Sequence, residues 1–173
     1  EEAKGIYEAL EAFNLLRRRN PEKNIRLSVA GYASEMEGVR ARVAERGIEG
    51  VRFLGYVSGQ DKAEAFRQAD AYLFPTRHGE GLPASVLEAM AAGLPVVTRP
   101  VGGIKDFFVD GEMGFLTQET TPEAFAEYMD RLLSDWRLRE AISKHNASYA
   151  REHFTAGSAA RRLGDIYRNV LDN

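Results

Sequence analysis

Cysteine is absent from this chain of 173 residues, and long hydrophobic runs are absent too. The lack of cysteine excludes disulfide frameworks, thiolate zinc sites and cysteine nucleophiles. No apolar run approaches the roughly 20 residues that a membrane-spanning helix needs. The beginning of the sequence is acidic and amphipathic, unlike a signal peptide. We therefore expect a chain that folds around an ordinary hydrophobic core.

An excess of one charge is also lacking, since 23 basic residues stand against 26 acidic ones, for a net charge of −3. So balanced a chain has no global field to attract nucleic acid, and we expect no nucleic-acid partner. Any anion must be bound locally. The hydrophobic fraction of 44% and the charged fraction of 28% are typical of globular proteins. This length and composition predict a single domain over residues 1–173.

Short apolar segments alternate with helical patterns along most of the chain. Apolar residues at spacings of three and four predict a first helix over residues 2–19. The alternation predicts an α/β fold with a doubly wound parallel sheet. A helical C-terminal tail follows, with breaks near Ser134 and Phe154. Strands are predicted at 25–30, 51–54, 71–74, 95–98 and 114–117, and further helices at 34–46, 59–68 and from 83 onward.

A glycine-rich loop follows the third predicted strand and leads into a helix whose first residue is predicted to be Pro83. The backbone donors and positive dipole end at such a helix start attract a phosphate or another anion. Glu80 and Glu88 flank this feature and can face one cleft, where their oxygens could accept hydrogen bonds from sugar and ribose hydroxyls. Alternatively, Glu80 only complements the helix dipole and Glu88 is a solvated helix position.

The segment 80–97, EGLPASVLEAMAAGLPVV, resembles the signature of retaining, GT-B-fold glycosyltransferases of family 4. Further blocks resemble the same family in the same order, and together they cover nearly the whole chain. The resemblance implies a Rossmann-like domain that forms the C-terminal, donor-binding half of the GT-B fold. These blocks are 51–57 (VRFLGYV), 69–76 (ADAYLFPT), 101–104 (VGGI) and 110–116 (DGEMGFL).

The resemblance also implies a role for each matching residue. Glu88 would bind the ribose hydroxyls of a nucleotide-sugar donor, and Glu80 would be the catalytic residue that aligns the donor sugar. Lys4 matches the lysine that neutralises the diphosphate, with a solvated surface lysine as the alternative. Gly31, Tyr56 and Val57 would lie near the nucleotide, but they could equally be ordinary loop and turn residues. The predicted donor-binding residues are Lys4, Gly31, Tyr56, Val57, Glu80, Gly81, Leu82, Pro83 and Glu88.

No cofactor and no metal ion are implied, because the donor is a substrate and the chemistry of this family is usually metal-independent. Arg77 and His78 lie on the signature loop, where a cation could help the diphosphate to leave, or where both are plain loop residues. The other two histidines show no metal-ligand spacing. The arginines at 17–19 compensate a helix dipole or contact a membrane surface peripherally.

This sequence departs from the family pattern at its beginning. Family members start this domain with a central strand that ends in Gly-Arg, and Glu1 lies just past that point. We therefore expect a piece of a longer protein, without that first strand and without an N-terminal domain that binds the acceptor. The isolated chain is predicted to be inactive.

The implied activity is the transfer of a hexosyl group, with retention of configuration, from a nucleotide diphosphate sugar to a hydroxyl of a sugar or lipid-linked acceptor. The resemblance favours polysaccharide or glycolipid synthesis in the cytoplasm, including the inner face of the membrane. Two alternatives stay open, because a fold does not fix a function. They are a nucleotide-binding module without catalysis and a nucleotide-sugar epimerase of the same fold.

Overall fold

Helices and strands alternate along the chain in the computed structural model, which describes residues 4–79 and 81–171. This order confirms the predicted α/β fold with its helical C-terminal tail. The strands are β1 (Leu27–Ala30), β2 (Val51–Gly55), β3 (Tyr72–Phe74), β4 (Val96–Thr98) and β5 (Gly114–Leu116). The helices are α1 (Ile6–Arg19), α2 (Ala33–Glu45), α3 (Gly59–Arg67), α4 (Ala84–Ala91), α5 (Pro122–Ser134), α6 (Trp136–His153) and α7 (Ala156–Leu171), and a 3₁₀ helix spans Gly102–Asp106.

All the described strand pairs are parallel, as predicted. β1 pairs with β2, with Leu27 opposite Val51. β3, β4 and β5 form a second group in that order, with Val96 of the middle strand between Tyr72 and Gly114. No ladder of hydrogen bonds joins β1 to β3 within residues 4–79 and 81–171. The strands therefore lie in two groups rather than in one continuous sheet.

Helix α1 connects these two groups, because its buried side chains contribute to both cores. Leu10 and Phe13 pack with Val29 of β1 and with residues of α2. Ala12, on the same helix, packs in the core formed by β4, β5, α5 and α6. Leu16 is also buried, and the predicted first helix is confirmed over Ile6–Arg19. The position of α1 therefore fixes the two strand groups relative to each other.

Asn146 ties helix α6 to the amino ends of β4 and β5. Its side chain is fully buried, and its Nδ2 donates to the carbonyl oxygen of Leu94 at 2.8 Å and to that of Met113 at 2.9 Å. Both carbonyl groups lie just before a strand begins. One side-chain amide thereby holds the starts of two neighbouring strands against the same helix, and the opposite, carboxyl edge carries the candidate site.

The breaks in the helical tail coincide with polar caps. The carboxylate of Asp135 accepts a hydrogen bond from the backbone N–H of Leu138 at 3.0 Å, where α6 begins. The hydroxyl of Thr155 accepts one from the N–H of Ser158 at 3.2 Å, where α7 begins. Such caps satisfy donors that a helix start leaves unpaired. Of the helices in the described ranges, none has both the length and the apolar character needed to cross a membrane.

Candidate functional site

The turns beyond β1 and β2 lie side by side at the carboxyl edge of their sheet, where ligands bind in doubly wound folds. The N–H of Gly31 donates to the carbonyl oxygen of Gly55 at 3.0 Å. The next residues, Tyr32 and Tyr56, stack with 4.8 Å between their ring centroids, and each keeps more than half of its surface exposed. With half-buried Val57, the predicted residues of these two turns share one edge of the fold.

Tyr32 was not among the site residues predicted from the sequence. A signal was present, because Tyr32 and Tyr56 each directly follow a glycine at the end of a predicted strand. In a parallel sheet, residues at equivalent positions of neighbouring strands lie close together. The two exposed rings form a flat apolar surface of the kind on which a planar ring can stack.

Helix α4 begins one residue later than the sequence predicted. Pro83 is its N-cap, with φ −69° and ψ 107°, and not its first helical residue. The proline carbonyl opens the helix by accepting hydrogen bonds from the N–H groups of Val86 and Leu87, at 3.0 and 3.4 Å. No described side chain caps this helix start. Its positive dipole end is therefore available to an anion.

The loop before α4 is held by the 3₁₀ helix that follows β4. The N–H of Gly103 donates to the carbonyl oxygen of Gly81 at 2.6 Å. A Cβ atom built at Gly103 would collide with this oxygen, so the close approach requires glycine. A Cβ atom at Gly79 or Gly81 would meet nothing within 4 Å. The loop thus exposes backbone, and the side chain of Leu82 is about half exposed beside it.

Glu88 lies on α4 and is paired with Lys62 of α3. The Nζ of Lys62 is 2.6 Å from Oε1 of Glu88, and each side chain retains 39% of its exposure. A partly exposed pair of this kind contributes no more than about 1 kcal/mol to stability. Lys62 was not predicted as a site residue, because 26 residues separate it from Glu88 and nothing in the local sequence links the two. Glu80, the other predicted carboxylate, lies outside the described residues.

The head of α1 approaches the loop that follows β3. Gly5 is the N-cap of α1, and its φ of 76° lies in the left-handed region that favours glycine. A Cβ atom built there would collide with the carbonyl oxygen of Pro75. Lys4 precedes this glycine and is exposed. The structure therefore places Lys4 beside the segment that leads into the signature loop.

Arg77 and His78 both have partners in or near this loop. Nη2 of Arg77 lies 2.5 Å from Oε1 of Glu8 on α1, and the Glu8 side chain is only 14% exposed. The backbone N–H of His78 donates to the hydroxyl of Thr76 at 3.2 Å. Arg77 thus joins α1 to the loop, and the His78 contact is a local turn contact. That either residue helps a diphosphate to leave stays a prediction.

Two open cavities adjoin these elements. One, of about 350 Å³, lies between α4, α6 and the start of α7, and Glu88, Arg151 and Phe154 are among its lining residues. The other, of about 490 Å³, is lined by Gly81 and Leu82 of the loop together with aromatic residues of the 3₁₀ and α6 segments. Both cavities therefore contain predicted site residues.

Metal-ligating side chains are not grouped in the part of the chain that the structure describes. There, no three His, Asp or Glu residues are placed to hold one metal ion. The expectation that no metal ion and no cofactor take part stays a prediction.

Comparison with known proteins relates the chain to enzymes that transfer sugars. A family model described as "Glycosyl transferases group 1" matches residues 1–149. An uncharacterized glycosyltransferase of Methanocaldococcus jannaschii is 24% identical over 169 residues, covering 98% of this chain and 43% of that protein. The phosphatidyl-myo-inositol mannosyltransferase of Mycobacterium tuberculosis is 30% identical over 175 residues, covering 98% and 45%. The chain thus spans less than half the length of these curated relatives.

Solved structures show the same fold. HepE from Anabaena, solved in complex with UDP, superposes with a TM-score of 0.85 at 19% identity, covering 98% of this chain and 46% of that one. The C-terminal domain of a group 1 glycosyl transferase, LpcC from Francisella tularensis, gives a TM-score of 0.77 at 23% identity, covering 90% and 82%. At these identities the likeness concerns the fold alone.

The family model and the curated relatives agree with the resemblance found in the sequence. The parallel α/β architecture is that of the Rossmann-like C-terminal domain of GT-B enzymes. This chain belongs to the glycosyl transferases group 1 family.

Proposed function

We propose that this chain binds a nucleotide diphosphate sugar as the donor domain of a retaining glycosyltransferase. The observation that supports the proposal is the contact of the head of α1 with the loop after β3. This loop leads into the start of α4, which no described side chain caps, and α4 carries Glu88. A carboxylate there can accept from ribose hydroxyls, and the helix start and Lys4 can receive phosphates. HepE was solved with UDP-glucose, which supports a nucleotide-sugar donor for the shared fold.

The proposed chemistry relies on positioning and electrostatics. The bond between the anomeric carbon and the diphosphate oxygen breaks, and a bond from that carbon to the acceptor oxygen forms on the same face. The acceptor hydroxyl gives its proton to the departing diphosphate. The start of α4 and Lys4 stabilise the negative charge that develops on the leaving diphosphate. Glu88 orients the ribose, while the stacked rings of Tyr32 and Tyr56 border the nucleotide. Glu80 as the catalytic contact to the donor sugar is part of the proposal.

The acceptor, the transferred sugar and the cellular setting are further parts of the proposal. We infer a hexosyl group and a sugar or lipid-linked acceptor, held with the help of protein outside this chain. The name of the mycobacterial mannosyltransferase supports a lipid-linked acceptor of this kind. Synthesis of a polysaccharide or glycolipid in the cytoplasm, including the inner face of the membrane, fits such an acceptor. No metal ion or cofactor is needed for these steps.

Replacing Glu88 with glutamine should abolish most of the response to one nucleoside diphosphate. The amide keeps the shape of the side chain but loses its negative charge and part of its acceptor capacity. At 100 times its dissociation constant, a bound nucleotide should raise the Tm of the unmodified chain by about 5–10 °C. The measurement is thermal unfolding with UDP, GDP and ADP, followed by calorimetric titration of the one that binds.

A control variant and a modified nucleotide show whether the effect depends on the ribose hydroxyls. Glu64→Gln changes an exposed carboxylate of α3 that pairs with Arg67 within its own helix, and it should leave nucleotide binding unchanged. The 2′,3′-dideoxy form of the nucleotide should bind the original chain and Glu88→Gln equally weakly. If Glu88→Gln binds the ordinary nucleotide as tightly as the original chain does, the assignment of Glu88 is wrong.

Removing the partner of Glu88 should have a smaller effect on the same binding. In Lys62→Met the carboxylate of Glu88 loses the ammonium that holds it at 2.6 Å, so its orientation toward ribose is less well fixed. We expect a change in stability below about 1 kcal/mol, because both groups are partly exposed. Nucleotide affinity should fall about three- to tenfold, which corresponds to roughly 0.6–1.4 kcal/mol.

The control for this substitution is Lys144→Met, which breaks a comparable pair with Glu140 on α6. Calorimetric titration of both variants with the nucleotide found above measures the difference. An unchanged or higher nucleotide affinity in Lys62→Met would mean that Lys62 only pairs with the Glu88 carboxylate and does not position it for ribose.

A further inference from the structure

Arg99, the residue that directly follows β4, is buried with two hydrogen-bond donors unused. Only 4% of its surface is exposed. Its Nε and Nη2 atoms are buried and have no hydrogen-bond partner among the residues that the structure describes. Burial lowers the pKa of this guanidinium, neighbouring Arg77 lowers it as well, and Glu8 acts in the opposite direction. An arginine nevertheless stays protonated in proteins, so a positive charge is buried here.

The two unpaired atoms form one edge of the guanidinium group. Nε–H and one N–H of Nη2 point in the same direction, at the spacing of the two oxygens of a carboxylate or phosphoryl group. One face of the guanidinium group packs over an aromatic ring, with its central carbon 5.1 Å from the centre of the Phe125 ring. This cation–π contact leaves the in-plane donors unsatisfied. The missing partner is therefore an acceptor that approaches in the plane of the group.

The charge around Arg99 also favours an anion. Among the residues that the structure describes, Arg77 and Glu8 are the charged groups that act on Arg99, and they are paired with each other. Two guanidinium groups and one carboxylate leave this cluster with a net charge of +1. Arg77 is half exposed, so the cluster has contact with solvent. Buried polar groups without partners are rare in folded proteins, so the two unpaired atoms of Arg99 call for an explanation such as a bound ion.

We propose that Arg99, assisted by Arg77, forms an anion subsite that takes a phosphoryl group through the Nε and Nη2 edge of Arg99. This site extends the proposed function, in which the start of α4 and Lys4 receive the donor phosphates. It lies at the carboxyl ends of β3 and β4, next to the head of α1. Its phosphoryl group belongs either to the donor diphosphate or to a second, separately bound phosphorylated ligand.

The test uses inorganic phosphate, pyrophosphate and the nucleoside diphosphates as probes of all 173 residues of this chain. Thermal unfolding and calorimetric titration are carried out on the unmodified chain and on Arg99→Met, which keeps the length of the side chain and removes its charge. We expect phosphate or pyrophosphate to raise the Tm of the unmodified chain by several degrees. In Arg99→Met the affinity should fall at least tenfold, while the Tm without anion should stay equal or rise.

Two further variants separate an anion site from a structural contact. Arg99→Lys keeps the charge but lacks the two-donor edge, so it should bind the anion more weakly than arginine and more tightly than methionine. Arg131→Met removes another arginine that lies over an aromatic ring, 4.9 Å from the centre of Phe115, and it should not alter anion binding. If Arg99→Met lowers the Tm by the same amount with and without anion, Arg99 only packs against Phe125 and the proposal is wrong.

Competition identifies the source of the phosphoryl group. If phosphate or pyrophosphate weakens nucleotide binding competitively in the original chain and not in Arg99→Met, the site holds the donor diphosphate. If phosphate still binds in saturating nucleotide, the site belongs to a second ligand. Either result supports the site, and the absence of any Arg99-dependent response to the three probes overturns it. Glu88→Gln distinguishes the two proposals, because it should strongly weaken nucleotide binding and leave phosphate binding intact.

Discussion

Replacing Asn146 with aspartate is expected to lower the free energy of unfolding by about 3–5 kcal/mol at neutral pH. The side chain is fully buried, and its Nδ2 is the donor to the carbonyl oxygens of Leu94 and Met113. An introduced carboxylate would face these two oxygens without a donor and would have to leave water. Since this amide holds the amino ends of β4 and β5 to α6, the loss should affect the whole domain.

The loss should also depend on pH in a defined direction. Burial and the facing carbonyl oxygens disfavour the charged form, so the pKa of the introduced carboxyl in the folded state rises above its unfolded value of about 4. The variant is therefore most stable below the unfolded pKa. It loses stability as pH rises toward the folded pKa, by up to about 1.4 kcal/mol per pH unit.

The matched control is Asn146→Leu, which removes the same two hydrogen bonds without adding a titrating group. Urea unfolding of both variants and of the original chain at pH 5 and pH 8 measures the effect. The difference between the two variants should widen at the higher pH. A constant difference between pH 5 and pH 8 would contradict the prediction.

Replacing Gly5 with alanine is expected to lower the free energy of unfolding by about 2–5 kcal/mol. The left-handed backbone, at φ 76°, disfavours any other L residue by roughly 1–2 kcal/mol. The added methyl group would also collide with the Pro75 carbonyl, and overpacking of this kind costs about 1–3 kcal/mol more. Moving α1 away to relieve the collision would carry Lys4 away from the loop, so nucleotide affinity should fall as well.

Gly47→Ala is the control that separates the effect of the collision with Pro75 from the effect of backbone strain. Gly47 also has a positive φ, 59°, but a Cβ atom built there meets nothing within 4 Å. This variant should lose only about 1–2 kcal/mol and keep its nucleotide affinity. Thermal and urea unfolding of both variants, followed by titration with nucleotide, compares them. Equal losses in the two variants would show that the contact between Gly5 and Pro75 contributes nothing.

Much of the fold could be predicted from local sequence patterns. The alternation of short β-rich segments with helical ones predicted the parallel α/β architecture, because a strand can pair in parallel only through a crossover of sufficient length. The breaks near Ser134 and Phe154 were predicted correctly, since capping residues follow them. The start of α4 was placed one residue early, because Pro83 supplies the first carbonyl and not the first helical backbone conformation.

The candidate site was predictable only where its residues belong to one continuous motif. Glu88 and the loop at 79–83 lie within a single segment, so a sequence pattern can identify them. The partners Lys62 and Glu8 come from other helices and carry no local signal. Arg99 was missed for the same reason. Its position directly after a strand was visible, but its burial depends on Phe125 and on the packing of α5.

The sequence by itself determined the order of helices and strands, the parallel architecture and the membership in a family, because these follow from periodicity and from contiguous motifs. Only the tertiary structure decided that α1 connects two strand groups, that Lys62 pairs with Glu88 and that Arg99 is buried with unused donors. Such features arise when elements distant in sequence pack together. Burial and charge are then set by the neighbours in space and not by the neighbours in the chain.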